Sequence, residues 1–208
     1  MKKIYSILLG AALMLIGSQA YAQLAVGAGY YNATDKIHAT MLGTEYNETS
    51  SLNGAYVGAT YEIDLSSVTE GLGFEPGLNA LLGFGKEGDA NRTDIALQLP
   101  LNFKYSYELD GDLKIFGLAG PALQFGLINK DKEENGGVTV TTNYYDPDFA
   151  QQLSRFNVLL GLGAGIEFGG KFQIRFGYEF GLLPLYNEND IKVTRPGQLK
   201  FGVAYVMF

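Results

Sequence analysis

Apolar side chains recur at every second position in eight segments, and the connections between those segments alternate between short and long. The face opposite the apolar one is crowded with glycine. Together these features predict an all-β fold: an eight-stranded antiparallel up-and-down transmembrane β-barrel after a cleaved N-terminal signal peptide. The 208 residues then divide into a signal peptide at 1–22 and one outer-membrane β-barrel domain at 23–208.

The leader is read from charge and hydropathy. Lys2 and Lys3 precede an apolar stretch from Ile7 to Ile16, and Ala20-Tyr21-Ala22 has the small-x-small form of a cleavage site. This places the mature N-terminus at Gln23. A membrane-anchoring helix would need a longer apolar run, of about 20 residues. Without Lys2 and Lys3 the chain keeps 13 basic residues against 22 acidic ones, a net charge of −9. Such an acidic chain does not suit nucleic acid, which is held by Lys and Arg patches. With no Cys, disulfides, thiol nucleophiles and thiolate metal sites are excluded. No stretch after residue 22 is long and apolar enough for a transmembrane helix, so entry into a membrane requires a closed barrel.

The clearest alternation runs from Ile95 to Glu108. Ile95, Leu97, Leu99, Leu101, Phe103, Tyr105 and Tyr107 share one face, and Gln98, Asn102, Lys104 and Ser106 lie on the other. Residues 156–168 and 172–183 repeat the pattern, and softer versions occupy 23–32, 52–65, 73–85, 113–127 and 198–208. Pro76, Pro100 and Pro121 fall inside strands, where each should mark a bulge or a local break in pairing. Short connections are expected at 66–72, 108–112 and 169–171, with Asp110-Gly111 and Gly169-Gly170 as hairpin signals. Long polar loops are expected at 33–51, 86–94, 128–154 and 185–197. This asymmetry puts the turns in the periplasm and the loops outside the cell.

Alternation alone does not say which face meets solvent. A soluble lipocalin-like carrier would turn Leu and Phe inward. Three features favour lipid on the apolar face. Glycines such as Gly27, Gly58, Gly161 and Gly163 would only weaken a solvated strand, but they fit a narrow interior. The polar face is nearly balanced in charge, with Glu62, Asp64, Glu75, Glu167 and Glu179 against Lys104, Lys114, Arg175 and Lys200. Buried charges must pair, so Glu62, Glu75, Lys104, Glu167, Arg175, Glu179 and Lys200 form the expected interior cluster. Aromatics including Tyr30, Tyr61, Phe84, Tyr105, Tyr107, Phe172 and Tyr205 sit near strand ends, as interfacial girdles require.

Four runs carry a family likeness: GFEPGLNALLGFGKEG (73–88), LQLPLNFKY (97–105), FGLAGPALQFGL (116–127) and VLLGLGAGIEFGGKFQIRFGYEFGLLPL (158–185). They resemble the PorT-like outer-membrane β-barrel proteins of Bacteroidota, small barrels of the outer-membrane protein A and X type. The resemblance spans about residues 73–208 and implies the bacterial outer membrane as location. It also implies a C-terminal signal, carried here by Tyr205 and Phe208, that is read by the barrel-assembly machinery. In the family pattern a second aromatic lies two positions before the last; here that position is Val206. Some members of the group assist protein secretion.

Catalytic patterns are sparse. His38, the only histidine, has Asp35, Thr40, Ser50 and Ser51 as sequence neighbours, a set that a small lipid-modifying barrel could use. Asp146-Pro147-Asp148 beside Tyr144 and Tyr145 could hold a cation but more simply makes a turn. Lys130 to Asn135 reads as a solvated tip, and the glycines at 161–165 lie within a strand rather than opening a helix. The reading is therefore of a non-enzymatic scaffold or anchor with no metal and no cofactor. Its expected partners are outer-membrane lipid, the assembly machinery through the C-terminal strand, and an extracellular or secretion partner through 33–51 and 128–154.

Overall fold

The computed structural model describes residues 22–41, 44–87, 90–109, 112–135, 138–150, 152–188 and 190–207. The signal peptide (all but Ala22), the Asp110-Gly111 turn and Phe208 lie outside the described residues.

A backbone in hydrocarbon has no water to bond, so every N–H and C=O must find a partner within the chain. Strands meet that demand only as a closed ring. The strands are β1 (Ala22–Met41), β2 (Thr44–Asp64), β3 (Leu72–Glu87), β4 (Ala90–Glu108), β5 (Leu113–Asn135), β6 (Val138–Asn143), β7 (Phe156–Phe168), β8 (Phe172–Gly181), β9 (Pro184–Glu188) and β10 (Ile191–Val206). Eight of them form the antiparallel order β1-β2-β3-β4-β5-β7-β8-β10, and β1 pairs with β10 to close the barrel. The other two are side hairpins: β6 pairs with β5, and β9 with β10.

Alternation sorts the two faces as the glycine and charge pattern requires. On β4, Leu97, Phe103, Tyr105 and Tyr107 are exposed, while Gln98 and Lys104 are buried. On β8, Phe172, Ile174 and Phe176 point out and Gln173 points in. The apolar face is thus the outside of the barrel, the reverse of what a carrier of apolar ligands needs. Aromatics ring both ends of the band. Phe168, Phe172 and Tyr205 lie at the turn end, where the rings of Phe172 and Tyr205 pack edge-on at 5.2 Å. Tyr30, Phe84, Phe125 and Phe156 lie at the other end. Small residues let the wall close tightly. A Cβ at Gly54 would fall on the Leu82 carbonyl of the neighbouring strand.

At the turn end, Gly169 and Gly170 both have positive φ (59° and 63°), and Lys171 N–H donates to the Phe168 carbonyl at 3.1 Å. This is the mirror-image turn whose twist matches the strands, and it requires φ > 0 at both central residues. The prolines act differently from a bulge. Pairing lapses near Pro76, near Pro100 and between β4 and β5 at Pro121, yet the register on either side is unchanged. The bulges lie elsewhere. In β5, Leu127 is the extra residue facing Ile95 and Ala96, and in β10, Arg195 and Pro196 face Asp35 alone.

The long connections are where the structure departs from the sequence pattern. Most of 33–51 and 86–94 is strand, because β1 and β2 pair up to Met41↔Thr44, and β3 and β4 up to Glu87↔Ala90. Segment 128–154 begins with the end of β5 and β6, and 185–197 holds β9 and the start of β10. The physical reason is plain: beyond the lipid the outer face no longer has to be apolar. Lys36, His38 and Thr40 can face out from β1 while Tyr31, Ala33 and Asp35 face in, and the hydropathy signal vanishes although the strand continues. With 20 residues in β1, 21 in β2 and 23 in β5, these strands are about twice the 9–11 needed to cross a bilayer.

The inside also changes character with height. Tyr31, Ala33, Leu52, Leu81 and Ala96 form an apolar cluster within the outer part of the barrel. Above it Tyr145, Leu153, Leu185 and Val193 form a second cluster, flanked by Ile37, Tyr144, Tyr186 and Ile191. The segment after β6 folds over the mouth and buries Tyr145 against Gly126, where any Cβ would collide with the tyrosine hydroxyl.

Placing a charge on the lipid face tests this assignment. Leu162→Arg, on an exposed site of β7, should lower the stability of the folded barrel in bilayers by about 2–4 kcal/mol. Denaturant titration in lipid measures it, and an unchanged midpoint would mean that Leu162 does not face hydrocarbon.

Candidate functional site

The chemistry of this chain is concentrated inside the barrel, in two ionic layers. The first spans the membrane-embedded half. Lys104 Nζ lies 2.7 Å from Glu62 and 4.0 Å from Glu167, and Gln173 donates to Glu167 at 2.6 Å. Arg175 grips Glu75 with two bonds of 2.7 and 2.9 Å and also donates to Gln173. Lys104 and Arg175 both lie over the inward ring of Phe116, at 4.6 and 5.5 Å. One level outward, Glu179 accepts from Lys200 and Gln98, each at 2.8 Å, and from Gln198. Gln198 reaches on to Gln124 at 3.1 Å, and Tyr31 Oη donates to Gln198 at 3.3 Å. The seven charged residues expected from the sequence therefore meet in this layer as pairs and small groups. Between Arg175–Glu75 and Lys200–Glu179 lies a cavity of about 100 Å³, flanked by Gly58, Asn79, Gly161 and Gly163. It has room for a few waters.

The second layer was not visible as a site in the sequence. Arg195 donates to both oxygens of Asp35, at 2.6 and 2.9 Å, and to Asp94 at 2.9 Å. Arg92 lies 3.5 Å from Asp35, donates to Asn129 at 3.3 Å, and stacks over Tyr144 at 5.3 Å. Asn129 donates to Asp94, and Tyr144 Oη donates to Asp131 at 2.6 Å. Asp35, Arg92, Asp94, Asn129 and Arg195 are all at most 4% exposed. They lie beyond the last exposed large apolar residues of their own strands, such as Tyr30 and Leu97, and so from the outer edge of the lipid band upward, with Asp94 opposite Gly83 beside Phe84. Each stands in or beside a segment that reads as loop. The usable signal was the continuing inward alternation Tyr31, Ala33, Asp35, Ile37.

These groups are electrically locked. Burial alone would raise the Asp35 carboxyl, but Arg195, through charge and hydrogen bonding, and Arg92 hold it below the usual carboxylate range. Burial and the Asp94 charge push the Tyr145 hydroxyl up to about 12, against the pull of Arg195. Stacked on Lys104–Glu62 and Arg175–Glu75, this layer and the apolar cap close the bore at its outer end.

The other sequence candidates do not assemble. His38 faces out and contacts Asn47 at 2.5 Å, while Asp35 and Ser50 are buried on the inner face of the wall. Asp146 accepts the Asp148 N–H at 3.1 Å, the bond of a simple turn. Among the described residues no cluster of His, Asp and Glu is arranged to hold a metal ion. Tyr205 is exposed on the lipid face and Val206 is buried behind it.

Residues 20–187 match the family model described as outer membrane protein beta-barrel domain. The chain belongs to this family. As an outer-membrane barrel it resides in the bacterial outer membrane, and its exposed apolar band is the surface that lipid covers. Comparison with curated proteins finds no match. Solved structures of similar fold include Ail, the attachment invasion locus protein of Yersinia pestis, at 16% identity, covering 90% of this chain and all of Ail with a TM-score of 0.42. Neisserial surface protein A is 15% identical over 91% of this chain and all of that one, with a TM-score of 0.46. The outer membrane enzyme PagL is 17% identical over 84% of this chain and 97% of PagL, with a TM-score of 0.44.

Two measurements test the locks. Arg175→Met leaves Glu75 buried without its cation and should cost about 3–5 kcal/mol of unfolding free energy in denaturant. Because the folded Asp35 pKa lies below the unfolded one, its contribution is present above about pH 4 and is lost as pH falls through the folded value. Thermal midpoints between pH 7 and pH 2 should fall less steeply for Asp35→Asn than for the native barrel. Parallel curves would remove Asp35 from the account.

Proposed function

We propose that this protein is a non-enzymatic outer-membrane anchor that holds a stiff extracellular β-structure for contact with a partner. One observation carries this reading: β1, β2, β4 and β5 stay paired far beyond the lipid band, and the space they enclose is packed and capped. A wall continued at such length, with its mouth shut, suits presentation rather than passage of solutes. The contact surface is the outer part of 33–51 and 128–154, including exposed Tyr46, Val138 and Val140. Tyrosine supplies contact area at low entropic cost.

The likeness of 73–88, 97–105, 116–127 and 158–185 to PorT-like barrels supports placement in that branch, found in Bacteroidota, with help to protein secretion as one form the contact takes. By the same reading residues 1–22 are removed on export, and Tyr205 with Phe208 guides the assembly machinery. The outward His38, separated from Asp35 and Ser50 by the wall itself, gives no support to lipid modification through that histidine.

The test uses intact cells. An epitope placed between β5 and β6 should be labelled from outside. Removing 130–143 should leave the heat-dependent gel shift of the barrel intact while cross-links to its surface partner disappear. Absence of labelling would reverse the orientation, and unchanged cross-linking would move the contact off this hairpin.

A further inference from the structure

Of the four described arginines, Arg92, Arg175 and Arg195 each face a carboxylate inside the barrel. Arg155 does not. It is exposed, precedes the first residue of β7, and has no acidic partner within ion-pair distance among the described residues. It is nevertheless held in place. Nη1 donates to the Gly126 and Leu127 carbonyls at 3.3 and 3.2 Å, Nη2 donates to the Tyr145 carbonyl at 3.4 Å, and the guanidinium lies 4.6 Å from the Tyr145 ring centre. The β5 bulge at Leu127 supplies two of these carbonyls, and Gly126 N–H in turn donates to the Arg155 carbonyl at 2.7 Å. Nε–H takes no part in these bonds. A fixed, exposed guanidinium that keeps N–H donors beyond these bonds is suited to bind an anion.

Its height selects the anion. Phe125 and Phe156, a cross-strand pair, are lipid-facing residues near the outer edge of the band, where Leu127 is the last exposed apolar residue of β5, and Arg155 stands one position beyond Phe156. Here the wall steps down: β7 begins at Phe156 and β8 ends at Gly181, whereas their neighbours β5 and β10 continue outward. The step opens a groove of about 710 Å³ whose walls include Phe125, Phe149, Arg155, Phe156 and Pro184. The groove is continuous with the lipid-covered surface and is lined by one cation, Arg155, at the level where headgroups begin, and by one carboxylate, Glu188 of β9.

We propose that this groove binds a phosphate-bearing lipid of the outer leaflet, with the phosphate on Arg155 and an acyl chain along Phe125 and Phe156. A phosphate on the free edge of the guanidinium gains charge-assisted bonds, and the acyl chain never leaves an apolar surface.

The experiment compares the full-length barrel purified in detergent with Arg155→Gln, Arg155→Lys and, as a control cation on β1, Lys36→Gln. Each is exchanged with phosphatidic acid or with diacylglycerol of the same chains, and retained lipid is measured by native mass spectrometry. The heat-dependent gel shift confirms that each variant is folded. The native barrel should retain phosphatidic acid over diacylglycerol by about tenfold, as one charge-assisted contact supplies. Arg155→Gln should lose that preference, Arg155→Lys should keep part of it, and Lys36→Gln should match the native barrel. Equal retention of both lipids by the native protein would overturn the proposal, as would an unaltered preference in Arg155→Gln. Complete displacement of phosphatidic acid by millimolar inorganic phosphate would make this an ion site rather than a lipid site.

Discussion

Pairing between β1 and β10 is the constraint on which the other features depend. In hydrocarbon an unpaired strand edge has no solvent to satisfy it, so the ring must close or the chain must leave the membrane. Closure fixes the rest. With eight strands the bore is narrow, inward positions must be small or mutually bonded, and outward positions must be apolar. Gly54, Gly58 and Gly163 answer the first demand, Arg175–Glu75 and Lys104–Glu62 the second, and Phe103, Leu162 and Phe176 the third.

The ionic layers follow from that geometry more than from any gain in stability. An ion pair inside a barrel is worth little against a well-packed apolar pair, but a missing partner is costly. The result is a strict register: moving one strand by a residue would send Lys104 or Arg175 into lipid and bring a phenylalanine against a carboxylate. Outside the membrane the same wall changes its rule. The change begins at the outer edge of the band, where Leu52, Leu81 and Tyr31 face inward, and above them Tyr145 and Val193 pack as they would in a water-soluble protein. One continuous sheet is thus inside-out in lipid and conventional above it.

That change of rule explains how far the sequence could be read. Segments such as Ile95 to Glu108 and Phe172 to Gly181 were legible because lipid outside and charge inside enforce alternation over their length. The interior residues from Glu62 to Lys200 were legible for the same reason. Asp35, Arg92, Asp94 and Arg195 were not, because the outer face beside them is polar too and the contrast between faces disappears. The Gly169-Gly170 turn was legible, but the outer lengths of the strands read as loops in the sequence. Arg155 gave no sequence signal at all. Its surroundings come from a bulge in β5 and a turn that are adjacent only in space.

The outer apolar cluster also carries a consequence for the order of assembly. Its buried members Tyr145, Leu153, Leu185 and Val193 come from the segment after β6, from β9 and from β10, and the flanking Ile37 brings in β1. Ile37 joins it only once the first and last strands have met. The cap therefore takes its last apolar contact from β1, so closing the ring and completing the cap are one event.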